Sequence, residues 1–219
     1  MFILNCTQAF NAHIAPSINE PPDQVIKTIY NPMQWVLHVF QAKRKYCVVA
    51  MHDMSRYSIL FVDVKKQDTK SFFVLFLQRL LSEMSCLCQL DEAQLKSMLD
   101  KLTDHTKFTL CQNSNRSVQT HISDVIWHFK NQINKADRLP QNDDEIFASG
   151  CFVNSLLRKT HQDRDYFVPE DRMIKFWNES FVDHETTKTE TMPLPSIIQN
   201  NKIISLSEFR KNKGPEKNR

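Results

Sequence analysis

The chain has 219 residues, of which 41% are hydrophobic and 24% are charged, a composition typical of a globular protein with one sizeable domain. An average chain of this length carries about 15 glycines, whereas this one carries two, Gly150 and Gly214. Phosphate-binding loops, dinucleotide-binding fingerprints and nucleophile elbows need glycine where the backbone approaches a ligand or takes a positive φ. The composition therefore argues against P-loop, Rossmann and α/β-hydrolase enzymes.

The net charge of +3 is unevenly distributed along the chain. Residues 202–219 contain six basic side chains and two acidic ones, so the rest of the chain is close to neutral. A near-neutral body lacks the field that drives domain-wide binding to phosphates. Any binding to nucleic acid is therefore expected through the basic tail.

Cysteine usage and hydropathy predict a cytoplasmic protein. Six cysteines are scattered in mainly apolar stretches, and the N-terminus lacks the basic region and long apolar core of a signal peptide. The longest apolar run, residues 72–77, has six residues, whereas a membrane-spanning helix needs about 20. Reduced thiols and no membrane contact are expected.

In the first part of the chain, the sequence pattern predicts a short strand at residues 2–4 and a helix at 22–30 within a proline-containing stretch. Three further strands are predicted at 35–40, 46–51 and 57–64, because these runs are rich in β-branched and aromatic side chains. Their polar separators are of hairpin length. An antiparallel meander is the simplest arrangement of these three strands.

The rest of the body predicts mainly helices. Asp68 or Thr69 can cap a helix that runs to about Met84, whose apolar residues surround most of its circumference, so that a central position is expected. Further predictions are helices at 91–102, 118–134, 146–157 and 172–181, a strand at 107–111 and a polar break at 138–144. The overall expectation is an α+β fold, a small antiparallel sheet packed against several helices, in one compact domain of residues 1–181.

Residues 182–219 predict a linker followed by a basic tail. The threonine-rich and proline-containing first part has few apolar residues and cannot form a core. Ser205-Leu206-Ser207-Glu208 is a capping-box pattern, which predicts a short amphipathic helix at 205–213. Because so short a helix needs a surface for its apolar side, Leu206 and Phe209 are candidate contacts with the body or with a partner.

Four segments have an order and spacing that characterise a family. They are Met1-Phe2-Ile3-Leu4-Asn5-Cys6-Thr7, the Trp35 strand leading into Arg44-Lys45-Tyr46-Cys47-Val48-Val49, Asn115-Arg116-Ser117-Val118 with Asp124 downstream, and residues 154–160. Over about residues 1–170 the chain resembles an uncharacterised bacterial domain family of unknown function. The resemblance implies a compact bacterial cytoplasmic α+β protein and brings no established activity.

The motif Asn115-Arg116-Ser117 permits two interpretations. Asn115 or Ser117 can accept hydrogen bonds from the first free N–H groups of the helix that follows, which is the commoner role of such residues. Alternatively, Arg116 at the positive end of that helix holds a phosphate or carboxylate. Asn115, Arg116 and Ser117 are therefore candidate anion-binding residues.

The same helix predicts a second surface of interest, opposite its apolar face, formed by His121, Asp124, Trp127, His128 and Asn131. A metal site is disfavoured because the two histidines lie two turns, about 10 Å, apart. An acid/base site would have Asp124 orient His128, yet no nucleophile stands beside it in sequence. The third interpretation is burial beneath another segment, or beneath a partner, with Trp127 as the anchor. This third interpretation is preferred, with intramolecular burial ahead of partner binding.

The sequence therefore favours a non-enzymatic interaction or regulatory protein of bacterial type, which engages a macromolecule through the Trp127 helix or the C-terminal unit. The alternative is an enzyme acting on a phosphate-containing or nucleic-acid substrate, with Arg116 binding the anion and His121 or His128 transferring protons. No cofactor and no metal are predicted. An enzyme should show an open polar pocket joining these groups, whereas an interaction module should show an exposed apolar patch.

Overall fold

A computed structural model describes residues 1–14, 32–103, 108–113 and 115–182. The predicted helix at 22–30 lies outside the described residues. The tail beyond residue 182, with Leu206 and Phe209, lies outside them too.

The described residues form five strands and six helices. The strands are β1 (Phe2–Cys6), β2 (Gln34–Ala42), β3 (Lys45–His52), β4 (Ser58–Phe61) and β5 (Phe108–Gln112). The helices are α1 (Gln8–His13), α2 (Thr69–Leu87), α3 (Glu92–Thr103), α4 (Arg116–Ala136), α5 (Asp143–Asn154) and α6 (Pro169–Phe181). The α+β class is confirmed.

The strands form one mixed sheet in the order β4-β3-β2-β1-β5. β2, β3 and β4 are consecutive antiparallel neighbours, so the predicted meander is confirmed for these three strands. The expectation of a wholly antiparallel sheet is wrong, because β1 pairs in parallel with both β2 and β5. A parallel pair needs a long crossover connection, and the local pattern of residues 2–4 contains no information about which distant strand they join.

Helices cover both faces of the sheet. On one face, alternate residues such as Leu4, Trp35 and Leu37 pack against α2, α3 and α6. On the other face, the intervening residues of the strands, such as Val36 and Met51, pack against α4 and α5. The side-chain period of two in a strand produces this division, and the outcome is a three-layer arrangement with a hydrophobic core on each side of the sheet.

Several element boundaries differ from the sequence-based expectations. Helix α1 was not expected, because six residues are too few to show a period; its Thr7 side chain accepts a hydrogen bond from the Phe10 N–H. Residues 143–144 belong to α5 rather than to a polar break, since Asn142 caps that helix and acidic side chains suit its first turn. The expected central position of α2 is wrong: it covers one face of the sheet, and Val74 on its outer side is 54% exposed.

None of the described helices is both long enough and apolar enough to cross a bilayer.

Candidate functional site

Asn115 fixes the start of α4. Its Oδ1 accepts a hydrogen bond from the Val118 N–H at 3.3 Å, which confirms the capping interpretation of the motif for this residue. Its Nδ2 donates to Asp53 Oδ1 at 3.0 Å. The cap therefore also joins the first turn of α4 to the turn between β3 and β4.

Arg116 and Ser117 have different surroundings. Arg116 is exposed and Ser117 is half-buried at the beginning of α4. The interpretation of the three motif residues as an anion site stays a prediction, and Asn115 already uses both ends of its amide within the protein.

The buried residues of α4 are those that helical periodicity predicts for its apolar face. The side chains that lie against the sheet are Val118, Ile122, Val125, Phe129 and Ile133. Their burial orients the opposite face of the helix, which carries Trp127, away from the core.

Trp127 is 60% exposed, so no segment among the residues that the structure describes buries this side chain as expected. Its ring centroid lies 4.7 Å from that of His128, which in turn lies 6.2 Å from that of Phe152 on α5. Phe152 is 43% exposed. We call these three side chains, Trp127, His128 and Phe152, the aromatic surface; Asn131 lies half-buried one turn after Trp127.

Asp124 connects the aromatic surface to a group of charged residues. One of its oxygens lies 3.6 Å from His128 Nε2, and the other accepts a hydrogen bond from Arg158 Nη1 at 2.7 Å. Arg158 is 3% exposed. A buried guanidinium therefore fixes the carboxylate that the sequence suggested as the partner of His128.

Arg158 is one of three arginines that the fold gathers beside α4; we call Arg56, Arg158 and Arg172 the arginine cluster. Arg158 exchanges two backbone hydrogen bonds with Phe167, at 2.8 and 2.9 Å. The guanidinium of Arg172 lies 3.4 Å above the Phe167 ring. These contacts bring Arg158 and Arg172 to the same side of the protein.

Arg56 joins the cluster through its neighbours in sequence. Ser55 Oγ, next to it, lies 3.5 Å from Met173 Sδ, and Met173 follows Arg172 at the start of α6. On the other side, Asp53 contacts both Arg56 Nη1, at 3.5 Å, and the Asn115 cap. The turn between β3 and β4 is thus held between α4 and α6.

His121 lies half-buried on α4 within the field of the cluster. Burial, followed by the positive charges of Arg56 and Arg158, lowers the pKa of His121 to about 4, although Asp124 and Asp163 oppose the shift. The imidazole is therefore neutral at neutral pH. It can accept or donate one hydrogen bond there without adding a charge.

We expect the His121 imidazole to titrate near pH 4 in the folded protein. Because its pKa is 6.5 without the fold and about 4 within it, the unfolded chain binds the proton more readily between these values. This group therefore lowers the free energy of unfolding as the pH falls through that window. Nuclear magnetic resonance of the imidazole nitrogens, assigned with His121→Gln, measures the midpoint directly, and a midpoint at 6.5 would contradict the expectation.

A groove of about 310 Å³ opens elsewhere, between β4, α2 and the start of α5. Polar lining residues include Asp63, Lys65, Gln78, Arg79 and Asp143. The predicted candidates His121 and His128 are not among its lining residues. The groove therefore does not join the groups that an enzyme of the kind suggested by the sequence would use.

The described residues contain no group of three or more histidine, cysteine, aspartate or glutamate side chains placed to hold a metal ion. The geometry of His121, Asp124 and His128 gives no ligand set there.

Sequence reasoning missed most of the charged cluster: Asp53, Arg56, Asp163 and Arg172 were not singled out. Arg158 did lie within the segment 154–160 that carried the family resemblance, and Asn154 in the same segment is fully buried. That segment was therefore the available signal. The pairing of its residues with α4 and with the turn after β3 could not be read from local spacing.

Comparison with known proteins gives a family. Residues 3–172 match a domain of unknown function, DUF6933. The match covers most of the chain, so the protein belongs to this family. A search of curated proteins finds no match.

Proposed function

We propose that this DUF6933 protein is a non-enzymatic interaction protein that binds a protein partner through the aromatic surface. The observation that carries the proposal is the exposure of Trp127 beside His128 and Phe152. Tryptophan is enriched among residues that dominate the binding energy of interfaces. Large apolar side chains that lie together on the surface of a soluble protein mark interaction sites more often than isolated ones.

The chemistry of the surface indicates the kind of partner. The rings offer apolar area, and Asp124, 3.6 Å from His128 Nε2, adds a negative charge beside them. We therefore propose a partner segment with apolar side chains at its centre and polar groups at its margin, the usual anatomy of a protein interface. Leu206 and Phe209 of the tail remain a second proposed contact.

The test uses the fluorescence of Trp127. The protein has three tryptophans, and Trp35 and Trp177 are fully buried, so a collisional quencher such as acrylamide reaches Trp127 first. A partner captured by the intact protein and then purified should protect Trp127 from the quencher. Trp127→Ala should weaken the binding by at least about tenfold, the effect of a central interface residue.

Val74→Ala is the matched control, because Val74 is an exposed apolar residue on a helix of the other layer. It should bind the partner as tightly as the unmodified protein. If Trp127→Ala and Phe152→Ala bind the partner as tightly as the unmodified protein does, the aromatic surface is not the interface. Binding that is lost equally in all three variants would show a general loss of structure and would also count against the proposal.

A further inference from the structure

The arginine cluster contains buried donors that the protein itself leaves unused. Within the described residues, Arg56 Nε and Arg158 Nε are buried and have no hydrogen-bond partner. Buried polar groups are nearly always hydrogen-bonded, and exceptions mark functional positions or places for a bound ion or water. Arg56 is 8% exposed, so bulk solvent does not readily supply the missing acceptor.

The neighbouring carboxylates are already engaged. The Asp53 oxygen nearest to Arg56 also accepts from Asn115, and its distance from Arg56 Nη1, 3.5 Å, is long for a charge-assisted hydrogen bond. Asp163 accepts hydrogen bonds from Arg172 at 2.6 Å and from the Thr160 hydroxyl at 2.5 Å. Of the three arginines, Arg56 has the weakest acceptor.

The backbone of Arg56 is also unusual. Its φ is 61°, in the left-handed region that side chains other than glycine and asparagine adopt at a cost. The surrounding contacts hold the residue there, since the Arg56 N–H donates to the His52 carbonyl at 3.0 Å. Five other non-glycine residues of the described part share a positive φ, so this turn by itself does not indicate a ligand.

From this geometry we infer that the arginine cluster, with His121 at its border, is a binding site for a phosphoryl group. A phosphoryl group presents three acceptor oxygens and nearly two negative charges, which suit several guanidinium forks better than the two oxygens of a carboxylate do. The unused Nε donors of Arg56 and Arg158 are the groups that it would engage. The neutral imidazole of His121 supplies one further hydrogen bond.

This site goes beyond the proposed function and does not depend on it. It uses Arg56, Arg158 and Arg172, whereas the interaction surface uses Trp127, His128 and Phe152. A phosphoryl group can belong to a free small molecule or to a phosphorylated side chain of a protein. The shared chemistry is the same for both carriers, and the experiment separates them.

The experiment measures binding to the full chain by following His121 and the arginine Nε–H signals by nuclear magnetic resonance. Inorganic phosphate, a nucleoside monophosphate, a phosphoserine peptide and acetate are titrated separately at constant ionic strength. Saturable shifts of Arg56 and Arg158 are expected with the phosphoryl compounds, and weaker shifts with acetate. A bound anion should raise the midpoint of the His121 titration, because it stabilises the imidazolium. The compound that binds more tightly than inorganic phosphate identifies the carrier.

Arg44 provides a closely matched control for Arg56. It is also an arginine at positive φ, 64°, but it is exposed in the turn between β2 and β3. Arg56→Gln should weaken phosphate binding by at least about tenfold, while Arg44→Gln should leave it unchanged. If Arg56→Gln fails to fold, Arg56→Lys keeps the charge but loses Nε and the fork, and it should weaken binding in the same direction.

Two outcomes would overturn the inference. One is the absence of saturable shifts at the cluster with every phosphoryl compound up to millimolar concentrations. The other is equal phosphate affinity in Arg56→Gln, or in Arg56→Lys if only that variant folds, and in the unmodified protein. Because Arg56→Gln tests the arginine cluster and Trp127→Ala tests the aromatic surface, failure of one proposal is distinguishable from failure of the other.

Discussion

Glu83→Ala should lower the free energy of unfolding by up to about 3–5 kcal/mol, the cost of removing one member of a buried ion pair. Glu83 lies on α2 with almost no exposure, and Arg79, one turn before it, is similarly buried. Arg79 Nε lies 3.1 Å from one carboxylate oxygen, and the Tyr57 hydroxyl donates to the other at 2.8 Å. The substitution leaves the Tyr57 phenol without its acceptor and leaves Arg79 with only its contacts to Asp143, both at 3.2 Å.

The free energy of unfolding should also depend on pH through the protonation of Glu83. Burial raises the pKa of Glu83 to about 7, although Arg79 opposes the shift. Between the ordinary value of 4.5 and 7 the folded protein therefore binds this proton more readily than the unfolded chain does. The contribution of Glu83 to the free energy of unfolding falls as the pH rises through that window.

Urea denaturation at several pH values measures both effects. Glu83→Gln keeps an acceptor for Tyr57 and Arg79, so it should destabilise less than Glu83→Ala and should flatten the dependence between pH 4.5 and 7. Glu179→Ala removes an exposed glutamate from α6 and should change stability by less than about 0.5 kcal/mol. Identical denaturation midpoints for Glu83→Ala and Glu179→Ala would contradict the account.

The sequence predicted those parts of the fold that depend on local periodicity. The strands of the meander, the cap at Asp68 and the buried stripe of α4 all agree with the structure. The parallel pairing of β1 was missed because it joins residues far apart in sequence. Pairing partners are decided by the assembled sheet, whereas side-chain period is decided within each element.

In the candidate site too, local features could be predicted from the sequence, whereas contacts between distant segments could not. Asn115 could be predicted as a cap because a cap is a local feature, and its position at the start of an apolar period indicated it. Arg56 could not be predicted as a neighbour of Arg158 and Arg172, because their approach depends on the packing of a strand turn against two helices. The exposure of Trp127 was also misjudged, since an aromatic residue on a polar helix face fits burial and interface equally well.

The two proposed surfaces share one structural support. Asp124 contacts His128 of the aromatic surface and Arg158 of the arginine cluster. A phosphoryl group bound to Arg158 would compete for the charge that holds Asp124, and so it would act on the residue nearest to both surfaces. Coupling between the two sites therefore has a defined physical route, which phosphate titrations with and without the partner can measure.

Asn154→Ala should also destabilise the protein strongly, by about 2–4 kcal/mol, because it leaves two buried backbone groups without partners. Asn154 is fully buried at the end of α5. Its Oδ1 accepts from the Ser58 N–H at 2.8 Å, and its Nδ2 donates to the Ser58 carbonyl at 2.9 Å. The amide thus takes the place of a further strand at β4, the edge of the sheet.

Denaturation and hydrogen exchange test this role together. Asn154→Ala should speed exchange of the Ser58 amide as well as lower stability, whereas Asn154→Asp keeps the acceptor and should protect that amide better. Asn131→Ala is the control, since it removes an asparagine from α4 that is only half-buried. Unchanged exchange at Ser58 in Asn154→Ala would show that the edge of β4 is held by something else. The segment from Asn154 to Arg158, part of the family resemblance, then has two roles. Asn154 pairs with the edge of β4, and Arg158 belongs to the arginine cluster.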